Sequence, residues 1–186
     1  MRPLHLMWGT QGKMDKYLYQ CIMQVSALYP GDHVEIGTRL GHSAAIAAAF
    51  REYGTVYCID PMKVPFTNEM AERLSKGANV LDQFRTNMED LNLEDRVKLT
   101  IGMSDPWPWP EDQRFVTGLI DGSHDHPWPI IDWNNMKKVV DKVIVIDDTL
   151  IRGATPAIIA AQNDPDWNYQ PYSKYVGYAW RKDAAV

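Results

Sequence analysis

The stretch Val34-Glu35-Ile36-Gly37-Thr38-Arg39-Leu40-Gly41-His42-Ser43 decides the fold of this chain. A short apolar strand over residues 33–36 ends at Gly37, and an Ala-rich helix over residues 43–50 follows. Gly37 permits a turn that a side chain would obstruct, and it lets the backbone approach a ligand closely. Free N–H groups at the start of a helix can bind a carboxylate. The stretch therefore predicts a ligand-binding loop, with a simple tight turn as the alternative.

The glycines of this loop fit two common nucleotide-binding motifs poorly. A phosphate-binding loop requires Lys and then Ser or Thr after its last glycine, whereas His42 follows Gly41 here. A dinucleotide fingerprint requires a third glycine, and only Gly37 and Gly41 are present. Glu35 lies where it can interact, directly or through water, with a ligand end that carries an ammonium and a carboxylate.

Apolar strand segments alternate with helical segments along the rest of the chain. Several strands are nearly continuous apolar runs, which is typical of a parallel sheet covered on both faces. We predict an α/β fold with a mostly parallel seven-stranded sheet, helices on both faces and a C-terminal antiparallel strand. We expect one domain over residues 1–186. Strands are predicted at 33–36, 55–59, 97–101, 115–120 and 142–146, with closing strands near 169 and 175–180; helices are predicted at 14–29, 43–50, 67–92, 130–140 and 156–162.

The composition is that of an ordinary globular domain. The chain has 186 residues, of which 45% are hydrophobic and 23% charged. A net charge of −5 without a long run of Lys or Arg argues against nucleic acid or anionic lipid as a partner. No apolar run approaches the roughly 18 residues of a membrane span, and no signal peptide is evident. We expect a cytoplasmic protein in which Cys21 and Cys58 are buried thiols.

Acidic residues directly follow three of the predicted strands. Asp60 follows the second strand, where a carboxylate can accept hydrogen bonds from ribose hydroxyls, although a helix cap is the alternative. Asp121 follows the fourth strand, and Asp147 with Asp148 follows the fifth. We expect these last three carboxylates to converge at one edge of the sheet, where oxygen ligands suit Mg²⁺, Mn²⁺ or Ca²⁺. Alternatively, Asp147 caps a helix and Asp148 faces solvent.

Two groups of residues near this edge have more than one interpretation. His124 can accept a proton at neutral pH or join a metal site, with Asp125 and His126 as rivals. Trp107, Trp109 and Trp128 either line the pocket of an acceptor substrate, pack under the neighbouring prolines, or form a homodimer contact.

Together these residues resemble the class I S-adenosylmethionine-dependent methyltransferases, with a Rossmann-like fold. The sequence is most similar to the cation-dependent O-methyltransferases and to the related macrocin-type and methyltransferase family 24 proteins. The resemblance covers roughly residues 7–182. The motifs that carry it are Val34–Ser43, Tyr57-Cys58-Ile59-Asp60, Leu119-Ile120-Asp121-Gly122-Ser123-His124 and Val145-Ile146-Asp147-Asp148.

The resemblance implies methyl transfer from S-adenosylmethionine to a hydroxyl of a small-molecule acceptor, assisted by a divalent cation such as Mg²⁺. It places His124 where the family has a lysine base, and Asp148 where the family often has Asn. It also implies that residues 1–30 form a helical lid, with Met7-Trp8-Gly9 and Lys13 near the substrate. The implied cofactor residues are Glu35, Gly37, Thr38, Arg39, Gly41 and Ser43 at the methionine part, Asp60 at the ribose, Ser104 and Asp105 at the adenine, and also Asp121. The implied metal ligands are Asp121, Asp147 and Asp148. The implied catalytic residues are His124 and Asp121.

Three other functions are compatible with such a sheet. A nicotinamide-dependent oxidoreductase would bind NAD and would have no use for three converging carboxylates. A non-catalytic protein of the same fold would bind the cofactor without turnover, or would not bind it. A metal-dependent hydroxylase-like protein would need a redox metal, which a set of carboxylates alone does not favour.

Overall fold

The structure is a computed structural model, and it describes residues 15–63, 79–150 and 153–184. None of the described helices is long and apolar enough to cross a membrane. The described helices are α1 (Asp15–Leu28), α2 (His42–Phe50), α3 (Val80–Leu91), α4 (Trp128–Val139) and α5 (Thr155–Asn163). The strands are β1 (His33–Ile36), β2 (Val56–Asp60), β3 (Val97–Ile101), β4 (Phe115–Ile120), β5 (Val140–Ile146), β6 (Trp167–Pro171) and β7 (Gly177–Arg181).

The strands form one seven-stranded sheet in the order β3-β2-β1-β4-β5-β7-β6. The first five of these are parallel, and β7 runs antiparallel to both β5 and β6. This confirms the predicted architecture. The strand order reverses between β1 and β4, so the chain leaves these neighbouring strands toward opposite sides. Such a reversal opens a crevice at the carboxyl ends of the two strands, where ligands bind in α/β sheets.

One face of the sheet is covered by α1, α2 and α3. Four of the five alanines of α2 are fully buried, while Ala49 is exposed, and the small buried side chains let this helix lie close to the strands. Leu18 and Ile22 of α1 are buried in the same core, so the described part of the N-terminal segment packs into the fold. Cys21 and Cys58 are buried free thiols, as predicted. The predicted lid residues Met7–Gly9 and Lys13, and the predicted helical residues 67–78, lie outside the described residues.

The opposite face is covered by α4 and α5. The predicted end of α4 at residue 140 was wrong by one residue. Trp133 is buried, as expected for the predicted apolar face of α4, but Ile130 on that face is 36% exposed. Val140 is the first residue of β5 and pairs with Phe115. The helix therefore ends one residue earlier, because the β-branched pair Val139 and Val140 favours an extended backbone and Val140 already pairs in the sheet.

The Trp-Pro segment takes the place of a helix between β3 and β4. No residue from 102 to 114 is helical, and Trp107 packs against Trp109 with ring centroids 4.9 Å apart. Trp109 in turn contacts Tyr57 and Phe115, at 6.2 and 5.7 Å. Phe115 begins β4, so these two tryptophans cover the sheet away from its carboxyl edge. Trp109 therefore packs on aromatic rings of the sheet, which differs from the predicted packing under the neighbouring prolines. The acceptor-wall role stays a prediction for Trp107 and Trp128.

Replacing Trp109 with alanine is expected to lower the free energy of unfolding by about 2 kcal/mol, because a half-buried aromatic cluster loses its central ring. Thermal or urea unfolding measures this loss. Ligand affinity at the carboxyl edge is expected to stay unchanged in the folded variant. A variant of normal stability with a raised KM for an acceptor substrate would instead place Trp109 in the substrate site.

Candidate active site

The loop after β1 depends on a glycine that lies against the loop after β4. Gly37 has a φ of +90°, and a Cβ atom there would lie 2.0 Å from the carbonyl oxygen of Asp121. Sequence reasoning explained Gly37 by the approach of a ligand, whereas the structure adds a second reason, the approach of another backbone. Gly41, at φ +79°, is also tightly packed, because a Cβ atom would lie 2.8 Å from the Phe84 ring. The two glycines therefore fix the loop at both ends.

Glu35 is a fully buried carboxyl group at the base of this loop. Its Oε1 accepts a hydrogen bond of 2.8 Å from the Ser43 hydroxyl, at the start of α2. Its Oε2 has no partner in hydrogen-bonding geometry among the described residues. Burial raises the pKa of Glu35 to about 7, while the neighbouring Thr38 and Ser43 hydroxyls act in the opposite direction. A buried acceptor without a partner is costly, and a ligand ammonium would satisfy it.

Asp60, at the end of β2, connects its own loop to the loop after β1. Its Oδ2 accepts a hydrogen bond of 2.9 Å from the backbone N–H of Arg39, and its Oδ1 accepts one of 2.6 Å from that of Met62. Arg39 is in the left-handed region at φ +48°, so this contact holds an unusual backbone conformation. Each carboxylate oxygen keeps a further lone pair with which it can accept a hydrogen bond from a hydroxyl group.

The loop after β3 is held by α4, through a residue that sequence reasoning missed. Ser104 is buried, and its hydroxyl donates a hydrogen bond to Asp132 Oδ1. Asn135 Nδ2 donates to the carbonyl oxygen of Ser104 at 2.8 Å, and Asp105 is exposed. A signal for Asp132 was present in the sequence, because it lies between Trp128 and Met136 at spacings of four, on the inward face of α4.

Three carboxylates converge at the carboxyl ends of β4 and β5. Asp121, Asp147 and Asp148 each offer an oxygen within 4.8 Å of the others, and all three are half-buried. The strands themselves bring them together: the Asp121 N–H donates to Ile36 O at 2.9 Å, and the Asp147 N–H to Ile120 O at 3.0 Å. The predicted convergence is present, and its donor set consists of carboxylate oxygens, as hard divalent cations prefer.

His124 lies beside this cluster. Its Nε2 is 3.3 Å from Asp148 Oδ2, while its sequence rivals Asp125 and His126 are exposed. The loop after β5 also contacts it, since a Cβ atom on Gly153 would lie 2.2 Å from the His124 carbonyl oxygen. The two loops therefore hold His124 close to the carboxylates.

The same loop is fixed on its other side to the turn between β6 and β7. The Thr149 N–H donates to Tyr175 O at 2.8 Å, and the Thr149 hydroxyl donates to Lys174 O at 3.0 Å. The ring of Tyr175 lies 6.2 Å from that of Tyr17 on α1. The loop after β5 is therefore connected to the β6–β7 turn and, through the Tyr175 ring, to α1.

These contacts unite the strand-end residues in one crevice. Gly37 meets the backbone of Asp121, Asp60 binds the Gly37 loop through Arg39, and Ser104 connects to Gly122 through Asp132. The crevice has a glycine loop with a buried carboxyl group on one side, and three carboxylates with a histidine on the other. The ligand roles of these residues stay predictions.

The same fold occurs in solved methyltransferase structures. Solved structures with the same fold include an O-methyltransferase from Bacillus cereus in complex with SAH, 17% identical, with a TM-score of 0.64 over 92% of this chain and 82% of that chain. A methyltransferase from Geobacter sulfurreducens is 19% identical, with a TM-score of 0.65 over 89% and 78%. The O-methyltransferase TomG from Streptomyces achromogenes, involved in tomaymycin synthesis and solved with SAM, is 14% identical, with a TM-score of 0.63 over 88% and 79%. The protein thus has the Rossmann-like fold of the class I methyltransferases.

The sequence itself narrows this class to a family. A family model described as a methyltransferase domain, Methyltransf_24, matches residues 34–149, which is more than half of the chain. The protein therefore belongs to this methyltransferase family. The matched range contains the Gly37 loop, Asp60, Ser104, His124 and the three carboxylates. No curated protein matches the sequence. Family membership favours methyl transfer over the alternative of an NAD-dependent oxidoreductase.

Proposed function

We propose that the protein transfers a methyl group from S-adenosylmethionine to a hydroxyl group of a small-molecule acceptor, with the help of a divalent cation. The observation that carries this proposal is the position of His124 and three carboxylates beside the Gly37 loop, in a chain of a methyltransferase family. A proton acceptor and a cation site are what a hydroxyl needs in order to become a nucleophile.

The donor fits the groups on the Gly37 side of the crevice. The orphaned Oε2 of Glu35 suits the donor's ammonium. The N–H groups in the first turn of α2 suit its carboxylate. Asp60 can accept hydrogen bonds from the ribose hydroxyls with its remaining lone pairs. The loop at Ser104 and Asp105 borders the adenine. S-adenosylmethionine supplies a methyl group already activated on a sulfonium, so the protein mainly positions the acceptor oxygen in line with it.

His124 is proposed as the general base, oriented by Asp148. In the neutral tautomer with hydrogen on Nε2, His124 donates to Asp148 Oδ2, over the observed 3.3 Å. Nδ1 then carries the lone pair and takes the proton of the acceptor hydroxyl while the acceptor oxygen attacks the methyl carbon. The bond between the methyl carbon and sulfur breaks at the same time, its electron pair stays on sulfur, and SAH leaves. A carboxylate that fixes the tautomer and orientation of a histidine in this way increases its effectiveness as a base.

Asp121, Asp147 and Asp148 are proposed to hold Mg²⁺, or Mn²⁺ or Ca²⁺ in its place. Three carboxylates within 4.8 Å repel one another in their ionised form, and a cation removes that repulsion. Such a cation lowers the pKa of a hydroxyl that it binds. The remaining expectations from the sequence, a cytoplasmic location and a homodimer, stay predictions.

An assay of SAH release with S-adenosylmethionine tests the activity on a panel of sugars, catechols and other small hydroxyl compounds, with matched amines and thiols beside them. We expect turnover with at least one hydroxyl acceptor, dependent on Mg²⁺. Binding of the donor without turnover on any acceptor class would favour the non-catalytic alternative. Turnover only on amine or thiol acceptors would contradict the proposed nucleophile.

Affinity for SAH is expected to fall as the pH falls through 7, because Glu35 must be ionised to bind an ammonium. With the pKa of Glu35 at about 7, protonation dominates below that pH, and affinity at about pH 6 should be roughly tenfold lower than at about pH 7.5. Isothermal titration at several pH values measures this. The matched control is Glu35→Gln, which keeps an acceptor for Ser43 and is expected to bind weakly with little pH dependence. An equally steep pH dependence in Glu35→Gln would exclude Glu35 as its source.

A further inference from the structure

Asp132 is a carboxyl group in an unexpected place, the inward face of a core helix. It is 1% exposed and lies among the apolar residues that pack α4 onto the sheet. Burial raises its pKa to about 6, against the opposing effect of the Ser104 hydroxyl. An apolar side chain at this position would avoid the cost of desolvating a carboxyl group. The residue therefore calls for an explanation other than stability.

The contacts of Asp132 join two of the loops that border the crevice. Its Oδ1 accepts the hydroxyl hydrogen of Ser104 from the loop after β3. Asn135, one turn further along α4, donates to the carbonyl oxygen of the same serine at 2.8 Å. Ser104 is thus held by α4 through both its side chain and its backbone.

The other oxygen of Asp132 lies under the loop after β4. A Cβ atom on Gly122 would lie 3.0 Å from Asp132 Oδ2, so this loop rests on the carboxyl group with no room for a larger side chain. The neighbouring Asp121 carbonyl oxygen is the atom that Gly37 approaches. A continuous set of contacts therefore runs from the β3 loop, through Asp132, to the β4 loop and on to the β1 loop.

We propose that Asp132 is a positioning residue, which sets the separation between the loops after β3 and β4 so that the adenosyl group of the donor fits between them. The proposal rests on the proposed function, because it assumes a donor with that group. Asp132 does not touch the donor in this account. It acts through Ser104 and Gly122, both of which lie at the crevice.

The test compares SAH binding by the full chain and by the variants Asp132→Ala, Asp132→Asn and Ser104→Ala. We expect Asp132→Ala to bind SAH about tenfold more weakly, since a buried hydrogen bond is lost and its partner is left unsatisfied. Asp132→Asn keeps an acceptor for Ser104 and should recover most of the affinity. Ser104→Ala removes the same hydrogen bond by deleting its donor. If Asp132→Ala does not fold, SAH binding by Ser104→Ala measures the effect of losing this bond. In turnover, KM for the donor should rise while KM for the acceptor stays unchanged.

Asp164→Ala is the matched control for a general loss of stability. Asp164 is also a buried carboxylate, and it pairs at 2.8 Å with Lys137 near the other end of α4. Its loss should lower the melting temperature without weakening SAH binding. Equal SAH affinity in Asp132→Ala and the wild type, or an equal loss in Asp164→Ala, would overturn the positioning role while leaving the proposed function intact. Absence of SAH binding by the wild type would overturn both.

Discussion

Replacing Gly37 with alanine is expected to abolish donor binding, with SAH affinity at least about a hundredfold lower than in the wild type. The added methyl group would lie 2.0 Å from the Asp121 carbonyl oxygen, at a φ of +90° that L-residues rarely adopt. Both effects force the β1 and β4 loops apart, at a cost of about 3 kcal/mol or more. Isothermal titration with SAH, combined with thermal unfolding, measures the outcome.

Gly102→Ala is the control for this substitution. Gly102 directly follows β3 at the same edge of the sheet, but its φ lies outside the left-handed region, and a Cβ atom there would meet only Ile59 Cδ1 at 4.0 Å. This variant should bind SAH nearly as well as the wild type. If Gly37→Ala also retained normal affinity, the close contact between the two loops would be irrelevant to the site.

Replacing Asp121 with asparagine is expected to lower kcat by at least about a hundredfold. The substitution removes one negative charge from a set of three carboxylates and so lowers the affinity of the site for a cation. The electrostatic contribution of such a cation to catalysis is typically several kcal/mol. The rate of methyl transfer is measured with increasing Mg²⁺. The variant should need far more Mg²⁺ than the wild type, or show no response to it.

Asp125→Asn provides the comparison, because Asp125 is an exposed carboxylate in the same loop and its loss changes the net charge equally. It should keep the activity and the Mg²⁺ requirement of the wild type. Chelation by EDTA should inactivate the wild type, and Mg²⁺ or Mn²⁺ should restore it. Full wild-type activity in EDTA would rule out a requirement for the cation. Asp121 would then act in cofactor binding or in the structure.

The sequence allowed the fold and the composition of the crevice to be predicted, for a simple geometric reason. Carboxyl ends of parallel strands meet at one edge of a sheet, so Gly37, Asp60 and Asp121 converge once their strands are recognised. The apolar runs of those strands are strong enough that the observed bounds of β1, β3 and β4 equal the predicted ones. Local pattern and global arrangement agree there.

The side-chain partners could not be predicted in the same way, because they depend on how the elements pack. Nothing local indicates that Asp132 lies under Ser104, or that Asp60 accepts hydrogen bonds from the backbone of the Gly37 loop. The Trp-Pro segment shows the same difficulty. Its position between β3 and β4 was clear, but the direction in which Trp107 and Trp109 fold depends on an uncovered sheet surface at Tyr57 and Phe115.

The proposed function requires that successive strands build one crevice shaped for the methyl donor. A crystal structure of the full chain with SAH tests it most directly. We predict density for the nucleoside at the carboxyl ends of β1, β2 and β3, with the ribose at Asp60 and the amino-acid end next to Glu35. Density for SAH at any other place on the protein, with these strand ends empty, would contradict the account.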